Sequence, residues 1–398
     1  MMSLKIKFSK WRKSRPPVSA RGSPDPLGFG NPGRVFVNTT AMALFPWLLC
    51  SVTSVPLHAD VVQIATQGIR SIAAAQSPLL LIDTPAKARK FLADHDSFLF
   101  DCDGVLWRGE DGLLPNTVET LALLERLGKS CIFVTNNAAK SRAAYRERFA
   151  QLGLERITLG QVVPSSFVAA RWLARTMPDV RKAFVVGAGG LVDELRDAGI
   201  DVLTARDFDL PGSNPLSNEA GASLAVLAEA VDRHPDVGAV VVGHDTGFDF
   251  KSLCLASLFL ERGTVAFIAT NPDAFDIVAG HRMPGNGCFV ASIATVAGRA
   301  PDAVCGKPAP DLATYLLSEY TLNPLRTCMI GDRLDTDIAL AHAMGSSSLL
   351  VLTGVATADD MVALNVESPS HEDSVPLPSH TISHVGRLFE LYLESDET

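Results

Sequence analysis

The chain has 398 residues, room for two compact lobes and a tail at about 100–200 residues per domain. With 47% hydrophobic and 20% charged residues it has a globular composition, and its net charge of −9 lacks the basic excess a nucleic-acid backbone demands, which excludes nucleic acid as an expected partner. Seven scattered cysteines without a CxxC pair read as reduced thiols rather than as a disulfide framework.

Residues 1–80 form an atypical leader. Lys5, Lys7, Lys10, Arg12, Lys13, Arg15, Arg21 and Arg34 stand against a single early acid, Asp25, among Ser, Pro and Gly. Acid-poor, Arg- and Ser-bearing leaders are typical of organelle targeting. Residues 41–57 are apolar, but Pro46, Pro56 and a length short of the roughly 20 residues a span needs argue against a stable membrane span. The leader predicts a plastid or mitochondrial address. The alternative is an over-extended coding start, with Met42 as one later initiator, and a cytoplasmic protein.

Beyond the leader, a helix is expected from Thr84-Pro85-Ala86 to Leu92, followed by a short apolar strand, Phe98-Leu99-Phe100. The strand runs into Asp101-Cys102-Asp103-Gly104. A carboxylate at the carboxyl end of a buried parallel strand lies where open α/β folds bind ligands. Asp101 is the candidate nucleophile toward phosphorus, and Asp103 the candidate acid and then base. Gly104 lets the chain turn away without a side chain. Taken alone, the segment reads as an Asp-Gly turn closing a core strand. Cys102, between the two carboxylates, reads as a small core residue, with an oxidation-sensitive thiol as the sharper alternative.

Asn116 to Leu127 carries Val118, Leu121, Leu124 and Leu127 at helical spacing and is stopped by Gly128. Cys131–Val134 reads as a second buried strand ending in Thr135-Asn136-Asn137, whose hydroxyl and amides can hold phosphate oxygens or cap a helix. Helices are expected over 141–152 and 165–176. Ala183–Val186 and Ala239–Val242 are strand candidates. The Gly187-Ala188-Gly189-Gly190 turn reads as a loop opening a helix, because Val192 breaks the GxGxxG spacing. Residues 208–223, rich in Pro, Asn, Ser and Gly, read as a surface loop. The alternation predicts an α/β fold, a parallel sheet with covering helices.

Toward the C-terminus, Gly306-Lys307-Pro308 presents a lysine able to neutralise an approaching phosphate, and alone it also suits a solvated loop. Thr327–Ile330 reads as a strand running into Gly331-Asp332-Arg333-Leu334-Asp335-Thr336-Asp337, with a helix expected from Ile338 to Met344. A divalent cation explains so many carboxylates at one strand end. Mg²⁺ takes oxygen ligands, here Asp101, Asp332 and the Asp103 backbone carbonyl. Asp337 is assigned to the helix dipole and the Asp332 loop, and Asp335 to an exposed position or a pair with Arg333. Alone, this run also suits an acidic helix N-terminus.

Residues 101–107 (DCDGVLW), 135–137 (TNN), 306–308 (GKP) and 331–337 (GDRLDTD) together resemble the four ordered motifs of the haloacid dehalogenase superfamily. The resemblance, over residues 85–395, is to the branch containing phosphoglycolate phosphatase, pyridoxal phosphatase and 4-nitrophenylphosphatase. It implies a Rossmann-like core in two parts, residues 81–180 and 285–398, around a large inserted α/β cap at 181–284. It also implies an Mg²⁺-dependent phosphatase with Asp101 as nucleophile, Asp103 as acid/base, Thr135, Asn136, Asn137 and Lys307 on the phosphate, and Asp332 on the metal. Aspartate at 103 points to phosphatase rather than dehalogenase chemistry. Thr270-Asn271-Pro272-Asp273 resembles the Thr-Asn-x-Asp segment of the family's cap and is expected to approach the substrate. The expected substrate is 2-phosphoglycolate; the alternatives are pyridoxal phosphate, broad 4-nitrophenylphosphatase activity, and a catalytically silent phosphometabolite-binding protein. A homodimer is expected by resemblance alone.

Overall fold

The computed structural model describes residues 80–109, 112–208, 220–278, 280–357 and 376–394. Apart from Leu80, the leader lies outside the described residues, as does most of the loop expected over 208–223, although a helix, Ala220–Asp232, begins inside that range. The chain first lays down β1 (Leu80–Leu81), β2 (Ser97–Phe100), β3 (Ser130–Thr135) and β4 (Val162–Pro164). It then passes through β5 (Lys182–Val186), β6 (Asp201–Leu203), β7 (Ala239–Val242), β8 (Ala266–Ala269), β9 (Phe275–Val278), β10 (His281–Pro284) and β11 (Ala303–Val304). It returns as β12 (Thr327–Gly331), β13 (Ser347–Val351) and β14 (His380–Ile382).

Two parallel sheets result. The larger has the order β1-β14-β13-β12-β2-β3-β4 and the smaller β11-β8-β7-β5-β6, while β9 and β10 form a separate antiparallel hairpin. β11 pairs with β8, Ala303 opposite Ile268, so the smaller sheet is completed beyond Pro284, where the sequence reading closes the cap. A two-residue strand carries too little periodicity to announce itself.

Side-chain alternation decides how the larger sheet packs. Phe98 and Phe100 of β2 face one side, where they meet Phe133, Phe149 and Trp107, and Leu99 faces the other with Ile132 and Val134. That second cluster is shared: Val185, Val241 and Ile268 of the smaller sheet join it through helices Ser165–Thr176 and Gly189–Asp197. The two sheets are therefore built around one continuous apolar layer.

The chain extends the larger sheet from β2 through β3 to β4 on one side, and β12 pairs on the opposite edge of β2, Ile330 beside Phe100. This reversal makes the carboxyl end of β2 and β12 the crevice at which such sheets bind ligands.

Candidate active site

Asp101 and Asp332 follow directly on β2 and β12, and the parallel register sets them side by side. Lys307, fully buried, lies 2.6 Å from Asp101 Oδ1 and 2.7 Å from Asp337 Oδ1, and its Nζ donates to the Val134 carbonyl at 2.9 Å. Burial alone would discharge Lys307; Asp101 and Asp337 outweigh it and hold its pKa above the ordinary lysine value. Burial raises Asp101 against the pull of Lys307, and pushes Asp337 up to about 6. Asp332 is raised well above the carboxylate range, first by burial and then by Asp101 and Asp337. Carboxylate oxygens of Asp101, Asp332 and Asp337 lie within 4.8 Å of one another, all buried. One ammonium among three carboxylates leaves negative charge uncompensated.

Asp332 Oδ2 accepts the Val355 N–H at 2.7 Å, whereas its Oδ1 is buried with no hydrogen-bond partner among the described residues. An unsatisfied, hard oxygen beside two further carboxylates suits a small divalent cation. Space around Asp332 is reserved by glycine. Gly104 has φ +86°, and a Cβ there would lie 2.7 Å from Asp332 Oδ2.

Asp337 sits in a widened turn, Leu334–Ile338, that precedes helix Ala339–Met344, so the expected single helix begins as a π turn. There its Oδ2 accepts the N–H groups of Asp332 (3.2 Å) and Arg333 (3.1 Å), supporting the loop as the sequence suggests. Its pair with Lys307 was not foreseen. Arg333 pairs with Asp335 at 2.8 Å and donates to the Phe275 carbonyl at 3.0 Å, tying the site to the start of β9.

Asp103 lies just past the strand. Its Oδ1 accepts the Trp107 indole N–H at 2.9 Å, and burial raises its carboxyl pKa despite hydrogen bonds from Trp107 and Asn137. Cys102 is fully buried, and burial pushes its thiol well above the usual range, which suits the core reading and not a reactive thiol.

Thr135 is buried at the end of β3, its hydroxyl accepting the Asn137 N–H at 3.1 Å. Asn136 departs from the phosphate-holding role expected of its side chain. Its Oδ1 accepts the Lys307 N–H (2.7 Å), and its Nδ2 donates to the Lys307 carbonyl (3.0 Å) and Asp273 Oδ1 (2.9 Å). The amide is used up as a clamp on the Lys307 backbone. Asp273 is correspondingly held on Asn136, while Asn271 Nδ2 donates to the Asn136 carbonyl at 2.7 Å. On the opposite side, buried Glu194 of the smaller sheet's first helix accepts the Arg142 N–H at 2.6 Å, and Gly190 N–H meets the Ala139 carbonyl at 3.1 Å. Sequence reasoning missed Glu194 and the Thr353–Ala356 loop; an apolar strand running into Thr353-Gly354 was the only signal for the latter.

Residues 98–201 match the haloacid dehalogenase-like hydrolase family, and residues 304–375 a HAD-hydrolase-like family. Over 276 residues, 69% of this chain and 85% of the relative, the chain is 39% identical to glycerol-3-phosphate phosphatase of Gallus gallus. Over 274 residues, 67% of this chain and 86% of the relative, it is 38% identical to phosphoglycolate phosphatase 2 of Arabidopsis thaliana. The chain belongs to the haloacid dehalogenase-like hydrolases. Among solved structures of this family, glycerol phosphate phosphatase from Mycobacterium tuberculosis in complex with magnesium is 29% identical, with TM-score 0.59 over 77% of this chain and 79% of that one. This haloacid dehalogenase-like hydrolase is a phosphatase, a phosphoric monoester hydrolase. No helix among its described residues is long and apolar enough to cross a membrane.

Proposed function

We propose that the chain is an Mg²⁺-dependent phosphatase that cleaves a small anionic phosphomonoester through an aspartyl-phosphate, with 2-phosphoglycolate as the substrate. The observation that carries the chemistry is the buried Asp101–Lys307–Asp337 chain beside the half-satisfied Asp332. Asp101 is the nucleophile: a carboxylate oxygen attacks phosphorus, forming an acyl phosphate as the ester oxygen departs. Asp103 gives that oxygen its proton, then takes one from the water that cleaves the acyl phosphate. Lys307, held charged by two carboxylates, offsets the charge of the transferring group. Thr135 and the backbone at Asn136 and Asn137 orient it. Asp101, Asp332 and the Asp103 carbonyl would hold Mg²⁺, which supplies charge neutralisation at the phosphoryl oxygens.

The Arabidopsis relative, 38% identical and named a phosphoglycolate phosphatase, supports the substrate. The chicken relative, 39% identical, favours glycerol 3-phosphate as a second reading. Comparing kcat/KM for 2-phosphoglycolate, glycerol 3-phosphate, pyridoxal 5′-phosphate and 4-nitrophenyl phosphate tests both. The proposal predicts at least about a tenfold preference for 2-phosphoglycolate, equal to about 1.4 kcal/mol in transition-state binding. A tenfold preference for another ester overturns the assignment. Activity that survives exhaustive chelation overturns the metal requirement, and no phosphate release from any ester with Mg²⁺ present points to a silent binding protein.

A further inference from the structure

Trp107 is 1% exposed, so its one polar atom must find a partner inside the protein. It finds Asp103: the indole N–H donates to Oδ1 at 2.9 Å. The rest of the residue is fixed for that purpose. Its carbonyl accepts the Gly104 N–H at 2.7 Å, closing the loop that carries Asp103. Its ring packs on Phe149 with centroids 5.2 Å apart, and the Arg148 guanidinium covers it at 4.7 Å. An indole held on two sides and by its own backbone cannot swing away from the carboxylate.

From this arrangement we infer that Trp107 is a positioning residue that fixes the Asp103 carboxylate by its Oδ1 and so aims Oδ2 at the departing ester oxygen. The indole N–H holds Oδ1, and Oδ2 is the oxygen it leaves to face the substrate. Oδ2 is then the atom that gives its proton to the departing ester oxygen, the O–P bond breaking as the O–H bond forms. The inference rests on the acid role proposed for Asp103.

Leaving-group dependence tests it. An alkyl phosphate needs its leaving oxygen protonated, whereas 4-nitrophenolate departs well without help. The readout is kcat/KM, which covers steps up to leaving-group departure, for glycerol 3-phosphate against 4-nitrophenyl phosphate, in the parent, Trp107→Phe and Asp103→Asn. The expected result for Trp107→Phe is a loss of about tenfold or more on the alkyl ester, the size of one hydrogen bond to a charged group, with the aryl ester within about threefold. Equal losses on both esters, or no loss on either, overturn the positioning role. If Asp103→Asn itself shows no selectivity for the alkyl ester, the acid assignment fails, and the Trp107 inference with it. If Asp103→Asn is selective and Trp107→Phe is not, only the Trp107 inference fails. Should Trp107→Phe not fold, benzothienylalanine at position 107 keeps the bicyclic shape, drops the N–H and gives the same readout.

Discussion

The two parallel sheets are built alike and equipped differently. At the carboxyl edge of the larger sheet stand Asp101, Thr135 and Asp332, two carboxylates that could hold a cation and a hydroxyl that could hold a phosphoryl group. At the same edge of the smaller sheet stand Gly187 after β5, Gly243 after β7 and Thr270-Asn271-Pro272-Asp273 after β8. Two of its acids, Asp273 and Glu194, are spent on Asn136 and Arg142 of the larger lobe. The clustered carboxylates thus stand on one sheet, and these contacts of the other tie the two together.

The sharpest way to break this comparison is to remove charge from the larger sheet. Asp101→Asn should lose at least about 10⁴-fold in kcat, the scale on which removal of a covalent nucleophile acts, with an unchanged melting temperature as control. Near-normal phosphate release by a folded Asp101→Asn protein would move the chemistry elsewhere. Lys307→Met should abolish activity and, by leaving Asp101 and Asp337 without a cation, cost about 3–5 kcal/mol in denaturant unfolding. A stability within 1 kcal/mol of the parent, at the ~1 kcal/mol scale of an ordinary hydrogen bond, would contradict the buried ion-pair account.

The contacts between the sheets sharpen the contrast. Asn136→Ala frees both backbone groups of Lys307 and should lower kcat by about tenfold together with a stability loss of about 1–3 kcal/mol. Glu194→Gln, at the opposite contact, should cost about 1–2 kcal/mol of stability while kcat/KM stays within about threefold. Equal kinetic losses in the two variants would erase the distinction.

The smallest effect concerns acid. His380 lies on β14, one strand in from the edge of the larger sheet, against Phe91 and His95, and burial lowers its pKa from 6.5 to about 4. Its folded pKa lies below the unfolded value, so the unfolded chain takes up the proton first. Stability should fall as pH drops from about 6.5 and level off near about 4. The contribution is about 2 kcal/mol or less once its partial exposure is discounted. Melting curves of His380→Phe should show a flatter acid limb over that window, and an unchanged limb would remove His380 as the cause.

The sequence made the site's charged residues legible because each ends an apolar run. Asp101, Asp332 and Lys307 combine a strand or restrained loop with a charge that has no reason to be buried unless it is used. What stayed hidden depends on partners distant in the chain. Asn136 was assigned to the phosphate with Thr135 and Asn137, but its side-chain amide is committed by the backbone of Lys307, which no local spacing encodes. Val355, whose N–H supports Asp332, is an apolar residue acting through its main chain. The last strand of the smaller sheet, two residues long, was invisible for want of pattern, and so that sheet extends past the boundary its visible strands suggested.

Gly354 carries a consequence for inheritance. A methyl group placed there would lie 1.8 Å from Asp332 Oδ2 and 2.4 Å from its carboxyl carbon. A single-nucleotide change from glycine to alanine, ordinarily among the mildest of missense variants, would therefore drive the carboxylate from its seat, and lineages carrying it should fail a screen for function while keeping every acidic residue intact.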